Sequence, residues 1–272
     1  MQTDTRALDQ ATEAVRKDVS LLRELDVDAA AINQRSAVFE RTYTDPSGKQ
    51  VPVFVKVYTY RTHLLERLWR AGRSRIEARN LIFFKQSGIP AARVIAWGER
   101  KNAFGKLVEE FIITEAVPNT QTLDEFVSEH CPDRSRPEYG ERRDQLLHQL
   151  GQATARIHAH SFFHKDLKWR NVLARLNGDQ VETFWIDCPK GDFHLPPWPQ
   201  EHGKLKDCAT LDKIARFACT QDERKRFVAH YLGKPESSEQ VAESATAISD
   251  FRKQRFDPKD DEQRLKKANA PQ

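Results

Sequence analysis

The sequence predicts an α+β protein, with an antiparallel sheet and one long helix in its first part and mainly helices beyond, as one large domain or two packed lobes. Three observations predict it. Up to residue 117, β-branched runs alternate with a single long helical stretch. Asp45-Pro46-Ser47-Gly48 is turn chemistry that folds two of those runs into a hairpin. Beyond residue 118, apolar residues recur mostly at helical intervals, interrupted by one pair of short strands. The expected segments are 1–117 for the sheet lobe, 118–233 for the helical lobe and 234–272 for a polar tail with one helix.

In order along the chain, Leu8, Ala11, Val15, Leu21 and Leu22 predict one short amphipathic helix over 7–25. Strands are predicted at 36–44 and 51–60, then a helix over 62–87 that Gly88-Ile89-Pro90 terminates. Two more strands follow at 93–98 and 107–116. Helices are predicted at 123–129 and 142–160. Short strands at 171–176 and 181–186 are joined by Asn177-Gly178-Asp179. A loop rich in proline (Pro189, Pro196, Pro197, Pro199) leads to helices near 205–218 and 221–232, and a last helix is expected at 239–255 before a disordered end.

Bulk properties bound the function. The 272 residues are 39% hydrophobic and 31% charged, enough for a core under a well-solvated surface. A net charge of +4 gives no case for a nucleic-acid partner but is compatible with an anionic substrate or membrane surface. Cys131, Cys188, Cys208 and Cys219 form no CxxC pair, which suggests reduced thiols in a cytoplasmic protein. The N-terminus has no apolar signal region, and no run approaches the ~20 apolar residues of a spanning helix. Membrane association is therefore expected to be peripheral.

The strongest chemical signal is His164-Lys165-Asp166-Leu167-Lys168-Trp169-Arg170-Asn171. Phosphoryl transfer uses a carboxylate to orient the acceptor hydroxyl and a second group, a few residues on, to hold magnesium. Asp166 fits the first role and Asn171 the second, with Lys168 between them to stabilise charge on the transferred group. Phe184-Trp185-Ile186-Asp187 then reads as an apolar strand ending in a carboxylate, placing Asp187 as the second magnesium ligand. Val53-Phe54-Val55-Lys56-Val57 sets a lone cation in an apolar strand, unfavourable without a partner. An edge-strand lysine facing water is the plain alternative. Glu77 is the expected partner of Lys56, with Glu66 in reserve, and Glu77 pairing with neighbouring arginines is its own alternative.

These residues resemble the protein-kinase-like superfamily, and most of all its lipopolysaccharide kinase branch, the Kdo and heptose kinases. The pieces are Phe54-Val55-Lys56, Arg79-Asn80-Leu81, Ser87-Gly88-Ile89-Pro90, the His164–Leu173 loop, Trp185-Ile186-Asp187-Cys188-Pro189 and the Asp207, Leu211, Asp212, Ala215, Arg216 helix. The resemblance implies a bilobal protein-kinase-like fold, ATP and Mg2+ as cofactors, and Lys56, held by Glu77, anchoring the phosphates. It implies Asp166 as base, Asn171 and Asp187 as metal ligands, and adenine bound at a hinge from Glu115 to Val117. The implied acceptor is a sugar hydroxyl, heptose, of the lipopolysaccharide inner core, or another small or glycolipid acceptor, at the cytoplasmic face of the inner membrane.

There are departures. No G-x-G-x-x-G covers the phosphates, and Asn33-Gln34-Arg35-Ser36 is the nearest substitute. Cys188-Pro189 replaces Phe-Gly after Asp187, Lys165 replaces an arginine, and Ala-Pro-Glu is absent. A small-molecule kinase of the aminoglycoside or choline type, a protein kinase and a non-catalytic binding module remain as alternatives. Arg61, Arg67, Arg70, Arg73, Arg75 and Arg79, with Trp69 among them, form either a patch for acidic sugars or lipid head groups or a solvated helix face. The loop 192–202, with His194 and Trp198, is a second candidate acceptor surface.

Overall fold

The computed structural model describes residues 5–28, 32, 36–60, 72–132, 136–194 and 200–257. The chain divides into two compact units, residues 2–119 with 184–191, and residues 120–183 with 192–272.

The N-terminal unit opens with α1 (Thr5–Ala14) and α2 (Leu21–Glu24), followed by β1 (Ser36–Thr44) and β2 (Gln50–Thr59). Then come α3 (Arg73–Gln86), β3 (Val94–Lys101) and β4 (Leu107–Glu115). Its antiparallel sheet has the order β1-β2-β4-β3. The β1–β2 hairpin forms as the turn chemistry predicts. Asp45 Oδ1 accepts from the backbone N–H of Ser47 and Lys49, and Gly48 supplies the left-handed residue at φ 85°.

One helix was expected over 7–25, and two are found. The sheet interrupts it: Trp97 N–H donates to Val15 O (3.1 Å) and Lys17 N–H to Trp97 O (2.8 Å). Backbone groups committed to a strand are lost to a helix. Gly98 permits this approach, since a Cβ there would lie 2.4 Å from the Lys17 carbonyl oxygen.

Strand alternation gives β2 two different faces. Val51, Val53, Val55 and Val57 pack with Leu22, Leu25, Val27, Phe111 and Ile113 in a buried apolar cluster. Lys56 and Tyr58 point to the other face, where Glu77 of α3 meets them. The predicted helix 62–87 is found from Arg73 to Gln86, and 61–71 lies outside the described residues. Gly88, at φ 71°, ends it as expected.

The C-terminal unit contains β5 (Gln121–Thr122), α4 (Leu123–His130), α5 (Pro137–Ala159) and β6 (Phe162–Phe163). A 3-10 turn at Trp169–Asn171 precedes β7 (Val172–Asn177) and β8 (Gln180–Trp185), and the last two residues of β8 are grouped with the N-terminal unit. Then follow β9 (Asp192–Phe193), α6 (Glu201–Ala218), α7 (Gln221–Leu232) and α8 (Glu239–Arg255). α5 begins before the predicted residue 142 because Pro137 is suited to the first helical turn.

The helix expected in the tail, α8, is part of the core. Val241 and Ile248 pack with Cys208, Ala209, Val228 and Ala229. Asp212 of α6 accepts a bidentate pair from Arg224 of α7 (2.6 and 2.8 Å) and a third bond from Arg252 of α8 (2.7 Å). Three helices are thus tied to one carboxylate that is 7% exposed. No helix among the described residues is long and apolar enough to cross a membrane.

Candidate active site

Lys56 is on an interior strand, between β1 and β4, so the edge-strand alternative does not apply. Its side chain is only 18% exposed. The ammonium lies 3.3 Å from both carboxylate oxygens of Glu77 and also pairs with Asp187. Tyr58, two residues along the same face, donates its hydroxyl to Glu77 Oε2 at 2.7 Å. Of the two glutamates considered for Lys56, Glu77 is the one found against it, and Glu66 lies outside the described residues.

Burial dominates the electrostatics of this cluster. Glu77 is 3% exposed, and desolvation, opposed by Lys56 and reinforced by Asp187, pushes its carboxyl from 4.5 up to about 7. For Lys56, burial disfavours the charge, but Glu77 and Asp187 together hold its pKa above the ordinary value. The hydroxyl of Tyr58 is driven up by burial and by Glu77.

A second carboxylate fixes the start of α3. Glu110 of β4, fully buried, accepts from Arg73 N–H (2.9 Å), Ser74 N–H (2.8 Å) and Ser74 Oγ (2.7 Å), and also from the Tyr60 hydroxyl. It thereby satisfies donors that a helix N-terminus leaves open, at the positive end of the helix dipole. Gly72 leaves room beside it: a Cβ there would sit 2.2 Å from Glu110 Oε2, so the carboxylate would have to shift. Asp187 itself has a left-handed backbone, φ 56°. The sequence reading missed Tyr58 and Glu110. The signals that were available are a tyrosine two places from the strand lysine and two adjacent carboxylates inside an apolar strand.

In the C-terminal unit, the loop from His164 to Asn171 is organised by Asp207 of α6, which has no exposure. Its carboxylate accepts from His164 N–H (2.6 Å) and Lys165 N–H (2.7 Å), with His158 Nε2 at 3.4 Å. These charge-assisted bonds hold Lys165 at φ 65°. Lys168 Nζ pairs with Asp166 Oδ1 at 2.7 Å. Asn171, 3% exposed, donates Nδ2 to Asp166 O at 2.9 Å, which leaves its Oδ1 as an acceptor. Asp166, Lys168 and Asn171 are therefore gathered in one loop, as the sequence spacing suggests.

The remaining predicted positions are placed as follows. Glu115 ends β4 and pairs with Arg93, its N–H donates to Arg93 O (2.8 Å), and Ala116 N–H donates to Pro52 O (2.9 Å). Val117 follows directly. Arg75 and Arg79 pair with Glu13 and Asp9 of α1, and Arg73 lies over the Tyr58 ring. Arg61, Arg67, Arg70 and Trp69, the turn residues Asn33, Gln34 and Arg35, and Trp198 lie outside the described residues. His194 packs edge-on against Phe163. Among the described residues no cluster of three or more His, Cys, Asp or Glu is suited to a metal. Asp187 carries carboxylate oxygens and Asn171 an amide oxygen, donor types that fit Mg2+.

A lysine paired with a helix glutamate under an antiparallel sheet, together with a His-Lys-Asp loop ending in a buried asparagine, defines a protein-kinase-like phosphotransferase. The lipopolysaccharide kinase (Kdo/WaaP) family matches residues 54–231, well over half of the chain, and the chain belongs to that family. A solved structure, WaaP in complex with acyl carrier protein, shares the fold with a TM-score of 0.58 at 17% identity, covering 93% of this chain and 95% of that one. No curated protein sequence matches. The protein is accordingly an ATP-using kinase of the lipopolysaccharide core, with a hydroxyl as acceptor.

Proposed function

We propose that this protein transfers the γ-phosphoryl group of ATP to a hydroxyl of a heptose in the lipopolysaccharide inner core. The observation that carries the reading is Lys56, buried in an interior strand and held by the carboxylates of Glu77 and Asp187. A cation so placed is neutralised while the protein rests and is ready for a polyphosphate.

In this reading Lys56 binds the α- and β-phosphates, and Glu77, steadied by Tyr58, keeps the ammonium aimed. The backbone from Glu115 to Val117 receives adenine. Asp187 and Asn171 would hold Mg2+, whose chemistry is to neutralise charge on the β- and γ-oxygens. Asp166 accepts the proton of the sugar hydroxyl as its oxygen bonds to the γ-phosphorus and the bond to the ADP oxygen breaks. Lys168, at 2.7 Å from Asp166, stabilises the phosphoryl oxygens as they take up charge.

Two partners belong to the same proposal. The basic segment 61–79 would meet the anionic inner leaflet, bringing the chain to a lipid-borne acceptor. The WaaP structure holds an acyl carrier protein, and by that likeness a carrier protein is a candidate partner here.

The test is acceptor discrimination. Purified protein, ATP and Mg2+ are incubated with heptose-containing inner core and with a core lacking heptose, and the product is fragmented in a mass spectrometer. The proposal expects one phosphate per chain, located on heptose and absent from the truncated acceptor. Phosphate on the heptose-free core would overturn the heptose assignment, and transfer only to aminoglycosides, choline or protein would favour the other kinase readings.

A further inference from the structure

The buried face of α3 carries a further polar side chain, Asn80, one turn beyond Glu77. Asn80 has no exposure, and its Nδ2 donates to two backbone carbonyls, Cys188 O at 2.8 Å and Gly191 O at 2.9 Å. Both acceptors are carbonyls, so the amide orientation is fixed, because a flipped amide would set oxygen against oxygen. Oδ1 is left buried with no hydrogen-bond partner among the described residues. A buried amide left half-satisfied is unfavourable on stability grounds alone, which points to what Nδ2 holds.

Those carbonyls belong to the segment that begins at Asp187. Upstream, Trp185 N–H donates to Pro90 O (2.8 Å), Ala92 N–H donates to Trp185 O (3.2 Å), and the Trp185 ring meets Phe84 edge-on at 5.3 Å. Asp187 sits between this anchor and the Asn80 clamp, with φ 56°. Aspartate adopts that left-handed conformation more readily than most residues bearing a Cβ. The two residues that follow are Cys188 and Pro189, so no glycine absorbs a reorientation there.

We propose that Asn80 is a positioning residue for phosphoryl transfer: it locks residues 188–191 to α3 and so holds the Asp187 carboxylate beside Lys56. Glu77 and Asn80 share one face of one helix, so α3 sets the phosphate-binding cation and the metal-binding carboxylate together. The inference rests on the reading of Asp187 as the magnesium ligand.

The test uses the full chain with Asn80→Ala and Asn80→Leu. Alkylation of Cys188 is followed by peptide mass, with buried Cys131 and Cys208 as reporters of global opening. In the wild type, Cys188 is expected to resist alkylation as Cys208 does. In the variants Cys188 reacts faster while Cys131 and Cys208 stay protected. The Mg2+ concentration for half-maximal turnover rises roughly tenfold or more, as for other residues that orient a metal ligand, while nucleotide binding in EDTA is retained.

Wild-type Cys188 reacting as fast as the partly exposed Cys219 would overturn the clamp without any variant. Unchanged Cys188 protection or unchanged Mg2+ dependence in the variants overturns it, as does Cys208 reacting together with Cys188. Asp187→Asn separates the two levels of the argument. If it leaves Mg2+ dependence intact, the metal reading fails. If it shifts Mg2+ dependence and the Asn80 variants do not, the inference about Asn80 fails alone.

Discussion

Replacing Glu77 with glutamine removes one of the two carboxylates on Lys56 and keeps the shape of the side chain. In the fold, burial raises the Glu77 carboxyl from 4.5 to about 7. Ionising it inside the protein therefore costs about 3 kcal/mol relative to the unfolded chain. Because the folded-state pKa is the higher one, this group's contribution to stability is full below 4.5 and is lost as pH rises through about 7. Glu77→Gln abolishes that dependence. That cost is already net of the Lys56 pairing, so above pH 7 the variant should be more stable than wild type by up to about 3 kcal/mol. Activity should not be spared. Lys56 is left with Asp187 alone and is drawn from the phosphates, so kcat/KM for ATP should fall roughly 10- to 100-fold. The assay is kcat/KM from pH 5.5 to 9, beside thermal melts over the same range. The wild type should gain activity with an apparent pKa near 7, and the variant should be low and flat across that region. The melting temperature of the variant relative to wild type should rise with pH. A variant with wild-type kcat/KM, or one retaining the limb near 7, would refute the reasoning.

Asp166→Asn should lower kcat by roughly 10²–10⁴-fold, the range for a general base, with nucleotide affinity near wild type in a binding titration. Glu110→Ala strands the buried donors of Arg73 and Ser74 and should destabilise the fold by about 1–3 kcal/mol in urea melts. Asp212→Ala leaves the guanidinium of Arg252, 6% exposed in its side chain, with Asp257 as its remaining carboxylate partner. A loss of about 1.5–3 kcal/mol is expected, with proteolysis reaching α8 first.

Much of this protein is legible in its sequence because its signals are local. The β1–β2 hairpin follows from Asp45 and Gly48, the end of α3 from Gly88, and the candidate catalytic loop from the fixed spacing of Asp166, Lys168 and Asn171. The bounds of α8 also follow from local pattern, but its burial does not, since that depends on Asp212 and Arg252, residues far apart in the chain. The same limit explains which long-range contacts were not foreseen. Glu110 caps a helix that starts 37 residues earlier, and Asp207 grips backbone some 42 and 43 residues away. Asn80 reaches carbonyls more than a hundred residues on. The break between α1 and α2 was hidden for a related reason: helical periodicity in 7–25 is real, but the backbone at Val15 and Lys17 is taken by Trp97 on β3.

The most direct test of the central claim follows the γ-phosphate of labelled ATP onto purified inner-core lipopolysaccharide, comparing wild type with Lys56→Met and Asp166→Asn. The account expects acceptor-dependent transfer by the wild type, weak nucleotide binding by Lys56→Met, and nucleotide binding without transfer by Asp166→Asn. Nucleotide binding with no transfer by the wild type, or transfer that survives both substitutions, would contradict it.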